Sequence, residues 1–125
     1  MAAPTITAKG ANRELHCSTA EFAWSATAAA TYSSAVVIPA GAQVVSVSLK
    51  GGSTVPTTGT SAQVAVGGVA VSSAIAFAKY DGIGEQWTEA PATFTDTTSD
   101  NGVIALITLG IHDVGSTIVS VCYIV

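Results

Sequence analysis

The residues of this chain with the widest chemical range are two histidines, two cysteines and eight acids. His16 stands beside Cys17, and His112 beside Asp113. A histidine oriented by a carboxylate can activate a hydroxyl, so His112, Asp113 and one of the 13 serines make a minimal hydrolase reading. Such a triad is defined by geometry rather than adjacency, and a chain this rich in serine supplies the combination by composition alone. The expectation is no catalytic residue and no enzyme activity. No GxSxG, HExxH or GxxxxGK[ST] pattern occurs, and Gly82-Ile83-Gly84 lacks the third glycine of a phosphate-cradling loop, so no cofactor is expected.

The segment Asp96-Thr97-Thr98-Ser99-Asp100-Asn101-Gly102 offers loop oxygens to a hard cation, but its spacing is not that of a dedicated calcium loop. It reads as a solvated hairpin turn, and no metal ligand is assigned. Cys17 and Cys122 lie far apart, outside any CxxC spacing. Two small buried thiols are expected in a chain whose Met1–Cys17 region shows no signal-peptide pattern; a disulfide becomes geometrically possible if the first and last strands are neighbours. Trp24, Tyr32, Tyr80, Trp87 and Tyr123 could line a carbohydrate platform, and a receptor-binding module would use Trp24, Trp87 and Tyr80 on one surface. Their scatter along the chain favours core plugs or subunit-interface anchors instead.

The elements that must position these residues are strands. Val and Ile number 24 of the 125 residues against 5 Leu and Met, and 16 Thr with 13 Ser take most of the polar positions. β-Branched side chains fit a pleated surface, and the residues helices prefer are scarce here. Only 10% of residues are charged and the formal net charge is −4. Lys9, Arg13, Lys50 and Lys79 form no cluster able to neutralise a run of phosphates, so no nucleic-acid partner is expected. The uncharged stretch Phe22–Leu49 is broken by Tyr32, Pro39, Gly41 and Gln43, so no membrane-spanning helix is expected either.

Residues 1–30 are Ala/Thr/Ser-rich with weak periodicity and read as an extended N-terminal arm, with a helical turn conceivable over 26–31. Residues 31–125 read as a single β-sandwich domain. Thr31–Ile38 is a strand stopped by Pro39-Ala40-Gly41; Gln43–Lys50 alternates, with Val45, Val47 and Leu49 on the core face. Residues 51–60 form a loop, and 63–71 two short strands about Gly67-Gly68. Residues 72–78 are an irregular buried connection, 81–84 a turn, and 86–88 and 93–95 short strands around Pro91. Asp100-Asn101-Gly102 turns the chain into 103–109, a central strand apolar on both faces, and 116–125 closes it with Val119, Val121 and Tyr123 on one face. The fold class is all-β: a β-sandwich or jelly roll of about seven to eight short antiparallel strands with an extended N-terminal arm.

The segment Val37-Ile38-Pro39-Ala40-Gly41-Ala42-Gln43-Val44-Val45-Ser46-Val47 resembles a strand–turn–strand signature of small structural proteins of tailed bacteriophages. Three further pieces fit the same layout: Val64-Ala65-Val66-Gly67, Asp81-Gly82-Ile83-Gly84, and Ser116-Thr117-Ile118-Val119-Ser120-Val121-Cys122-Tyr123. The likeness spans about residues 36–125 and does not extend to the first 35. It implies a β-sandwich or jelly-roll module used as a capsid decoration, head-fibre or tail component. The partners it implies are copies of itself, as a homotrimer or other symmetric oligomer, and the phage major capsid protein or another virion protein. The location it implies is the virion, assembled in the host cytoplasm. On this reading the arm is the docking or subunit-exchange element; the strands apolar on both faces, for their part, imply either two packed sheets with an oligomer contact outside or a sheet sandwiched between subunits.

Overall fold

A computed structural model describes residues 14–89 and 102–124. Its strands are β1 (Leu15–Ala23), β2 (Thr31–Ile38), β3 (Gln43–Gly51), β4 (Ser61–Val66), β5 (Val69–Ala70), β6 (Ile75–Ala76), β7 (Gln86–Glu89), β8 (Gly102–Leu109) and β9 (Ser116–Ile124), with one 3-10 turn at Phe77–Lys79. They form two antiparallel sheets packed as a β-sandwich. The first has the order β1-β9-β3-β7 and the second β2-β8-β4-β5, with β6 also paired to β4.

The pairings are nested: β1 with β9, β2 with β8, β3 with β7, β4 with β5. The chain is thus one long antiparallel ribbon whose bend lies at Gly67-Gly68, rolled up so that β9 also pairs with β3 and β8 with β4. That topology is a jelly roll. Both glycines at the bend have positive φ, 60° and 82°, as the primed two-residue hairpin turn requires.

Period-two alternation builds the core. Val47 and Leu49 of β3, Val64 of β4, Ile104 and Leu106 of β8, and Val119 and Val121 of β9 are fully buried between the sheets. β3 departs from the expected alternation at one point. A bulge between Val44 and Ser46 turns Val44 into the core and leaves Val45 half-buried, since the extra residue shifts the register against β9.

The N-terminal region and the thiols depart from the sequence expectations. The arm expected over residues 1–30 does not reach residue 30: Leu15–Ala23 is a full strand, paired residue for residue with β9, and Ala20, Phe22 and Trp24 enter the core. Residues 1–13 lie outside the described residues, as do the expected strand at 93–95 and most of the 96–102 turn. No helical turn forms at 26–31, where Ala26 takes a positive φ of 48° and Thr27 bridges to His112. The two thiols, expected free, are paired. Cys17 and Cys122 face each other directly in the β1–β9 register, with Cα atoms 4.0 Å apart, and are joined as a disulfide on the outer face of the first sheet. Cys17 is exposed and Cys122 half-buried.

The disulfide closes the open end of the ribbon across 105 residues, a length at which cross-linking the unfolded chain is worth about 5 kcal/mol. Urea melts with and without reductant should therefore differ by about that amount, and Cys17→Ser with Cys122→Ser should reproduce the reduced curve.

Candidate functional site

Three loops meet at one end of the sandwich, and they gather most of the chemically interesting side chains. The β1–β2 loop is tied to the β8–β9 loop by Trp24 N–H to the Gly115 carbonyl (2.7 Å), Ala26 N–H to the Asp113 carbonyl (2.6 Å) and a two-way bridge between Thr27 and His112 (2.8 and 3.1 Å). The β3–β4 loop joins through Ser116 N–H to the Thr54 carbonyl (2.9 Å) and the Thr58 hydroxyl to the Ile111 carbonyl (2.7 Å). Gly115 has no substitute there. Its φ is +82°, and a Cβ would stand 2.2 Å from the Thr54 carbonyl oxygen.

Asp113 clamps this assembly. Its carboxylate accepts from Thr57 N–H (2.8 Å), from the Thr57 hydroxyl and, more distantly, from Thr58 N–H (3.4 Å). The Thr57 hydroxyl, then its N–H, lowers the Asp113 pKa to about 2. The carboxylate therefore serves the β3–β4 loop rather than the neighbouring imidazole.

His112 lies in the core, fully buried. Its Nε2 is 3.0 Å from the Tyr80 hydroxyl. Its ring packs on Trp24 (4.9 Å), Phe77 (5.9 Å, edge-on) and Tyr80 (6.1 Å, nearly parallel). Trp24 in turn donates Nε1–H to Thr117 Oγ1 at 2.9 Å. Burial lowers the His112 pKa against the opposing pull of the Gly110 carbonyl and the Asp113 charge. Burial, with the Asp81 charge beside it, raises the Tyr80 pKa, so the pair is a neutral imidazole against a neutral phenol. No hydrogen bond among the described residues joins His112 to a serine hydroxyl. His16 is at the other end of β1, stacked on Tyr123 with Nε2 3.8 Å from Glu14 Oε2.

The surface expected for carbohydrate is not assembled. Trp24 is 5% exposed and Tyr80 0%, whereas Trp87 is 37% exposed on edge strand β7 with the Lys79 ammonium 4.8 Å over its ring. Two of the three aromatics are core plugs, as their scatter suggested. Among the described residues no group of three or more His, Cys, Asp or Glu is placed to hold a metal ion, and no helix is long and apolar enough to cross a membrane.

The outer faces of the two sheets differ in kind. The first carries Glu21, Lys50, the disulfide and a run of Ser and Thr. The strands of the second contain no charged residue at all. Its outward rungs are Val37–Val103, Ser33–Ala105–Ala65–Ala70, Thr31–Ile107–Gln63 and Leu109–Ser61–Ala76. Val37 is 46% exposed, Leu109 55%, and Ile111 just beyond the end of β8 another 55%. The sequence marked β8 as apolar on both faces; the structure shows that its outer row is only partly covered. This ridge is the candidate assembly surface. Period-two reading could find it, but the Asp113–Thr57 clamp and the Tyr80–His112 pair carry no sequence signal, because their members are 56 and 32 residues apart.

The chain is similar in fold to a chain of the capsid asymmetric unit of cyanophage Pam1, with TM-score 0.64 and 22% identity over 100% of this chain and 92% of that one. It is likewise similar to a chain of the acid-stable capsid of the Helicobacter pylori bacteriophage KHP30, with TM-score 0.58 and 22% identity over 89% and 87%. No protein-family model and no curated protein sequence matches it.

The clamp sets a pH dependence. Asp113 ionises more readily in the folded chain than in the unfolded one, so its contribution is present above about pH 4 and is lost as pH falls towards about 2. Asp113→Asn or Thr57→Val should flatten the acid limb of a stability–pH profile in that interval, measured by thermal melting.

Proposed function

We propose that this chain is a non-enzymatic structural protein of a tailed-bacteriophage virion: a decoration subunit that sits on the capsid surface as a symmetric oligomer. The observation that carries the reading is the charge-free outer face of the second sheet. A net-negative chain repels its own copies wherever its acids face one another. Of the charged residues among those described, all but Asp113 lie on the first sheet, just before β1, or on the connection into β7, and Asp113 is held by Thr57. Copies can therefore approach through β2-β8-β4 without like-charge cost, burying Val37, Ile107 and Leu109.

The jelly-roll fold and its likeness to chains of two phage capsids support the virion setting. A disulfide accords with it as well, since a released particle leaves the reducing cytosol. The part of the expected docking arm that precedes β1, residues 1–13, is proposed as the contact with the capsid.

Sedimentation of the purified chain should give a trimer or other closed ring. Ile107→Glu with Leu109→Glu should give a monomer with an unchanged far-ultraviolet spectrum. Deleting residues 1–13 should lower occupancy on capsids lacking the protein while leaving the oligomer intact. A wild-type monomer at high concentration would overturn the assembly reading.

A further inference from the structure

One buried titratable group has no part in the proposed assembly. His112 joins the loop end of the sandwich to the 3-10 turn through one side-chain hydrogen bond, Nε2 to the Tyr80 hydroxyl at 3.0 Å, beside the packing of its ring on Phe77 and Tyr80. Its other ring nitrogen, Nδ1, is buried with no hydrogen-bond partner. Its backbone is at the same time half of the Thr27 bridge that holds the β1–β2 loop against the β8–β9 loop. Whatever displaces the imidazole therefore acts on the junction of those two loops.

We propose that His112 is an acid-sensitive latch: protonating its imidazole frees the loop end from the 3-10 turn and uncovers Trp24, while the two sheets stay paired.

The hydrogen-bond count gives the reason. The neutral ring needs one donor and one acceptor, and Tyr80 serves either tautomer at Nε2. The imidazolium is a donor at both nitrogens. Where Nδ1 was bare, the new Nδ1–H has no partner in hydrogen-bond geometry; where Nε2 was bare, Tyr80 must turn from donor to acceptor, which strips its own hydroxyl proton of a partner.

Charges able to offset the cation are few. From the 3-10 turn and its end come Lys79, of like sign, the Tyr80 phenol, and Asp81 beside it. The β8–β9 loop offers the Gly110 carbonyl, whose upward pull on the imidazole burial outweighs, and Asp113, whose carboxylate is engaged by Thr57 and Thr58. The packed parts of the β1–β2 and β3–β4 loops contribute Trp24, Thr27 and Gly59, none of them ionisable in this range. The Trp24 ring face offers some attraction to a cation, but it does not replace the hydration lost.

The sign follows. Burial holds the folded group below its ordinary value of 6.5, so the closed form binds fewer protons than the open one. Closure is favoured above about pH 6.5 and loses its advantage progressively below it. This window is well separated from the Asp113 clamp, which gives way only as pH falls towards about 2.

The test uses the full chain with Trp87→Phe, leaving Trp24 as the only indole. Between pH 7.5 and 4.5 the Trp24 emission should move to longer wavelength, with a midpoint below 6.5 and no change in far-ultraviolet circular dichroism. His112→Gln should abolish that transition, and His16→Gln should leave it in place. A shift that persists in the His112 variant, or emission that stays constant throughout, overturns the latch. Should His112→Gln fail to fold, the His16→Gln chain has a single imidazole whose titration proton NMR reads directly. A value of 6.5 or above would equally overturn the proposal. Sedimentation at each pH separates this from assembly, since the ridge on β8 carries no titratable group.

Discussion

The structure rests on the pairing of its first described strand with its last. β1 and β9 run antiparallel over their whole lengths, and every other pair is nested inside them, down to the two glycines at the ribbon's bend. Because that outermost contact joins residues about a hundred positions apart, it has the largest loop-closure entropy of any in the fold. Two features offset the cost. β1 and the residue just after it contribute Ala20, Phe22 and Trp24 to a core whose remaining members are mostly Val, Ile and Leu, and the disulfide holds the two strands together covalently.

A sandwich of this kind has open ends, and the end beneath the 24–30, 52–60 and 110–115 loops is sealed by aromatics rather than aliphatics. Trp24, Phe77, Tyr80 and His112 pack ring on ring. Their polar atoms are satisfied locally by Thr117 and by one another, except for Nδ1 of His112. Aliphatic side chains would seal such an end without that exposed weakness. A histidine makes the seal depend on protonation, because the imidazole is the side chain whose charge changes nearest neutrality.

Among the described residues charge is segregated between the two sheets. One sheet presents Ser, Thr, Glu21 and Lys50 to solvent; the other presents an uncharged row along β8. The inner faces of both sheets obey the same rule of burial, so the difference lies entirely in the outward positions, where folding of the isolated chain imposes no demand. Outward positions that remain apolar without need from the core are the signature of a surface made for contact.

Much of this was legible in the residues. Thr31–Ile38 and the stretch from Gln43 were read as strands by alternation and by the proline–glycine stop between them, and β8 and β9 by their apolar runs. Strand β1 carries a weak signal because its inward row begins with His16 and Ser18, and the aromatic members come only at its end. The core position assigned to Val45 belongs to Val44, since a bulge is a property of two strands together and one strand's pattern does not announce it. Local order, namely where strands run, which way their side chains alternate and where glycine lets the chain turn, is written in neighbouring residues and was determined by the sequence itself. Which strand meets which was decided only by the tertiary structure. With it came the union of Cys17 with Cys122 and the burial of His112 against Tyr80, because these contacts join residues whose proximity depends on rolling the whole ribbon.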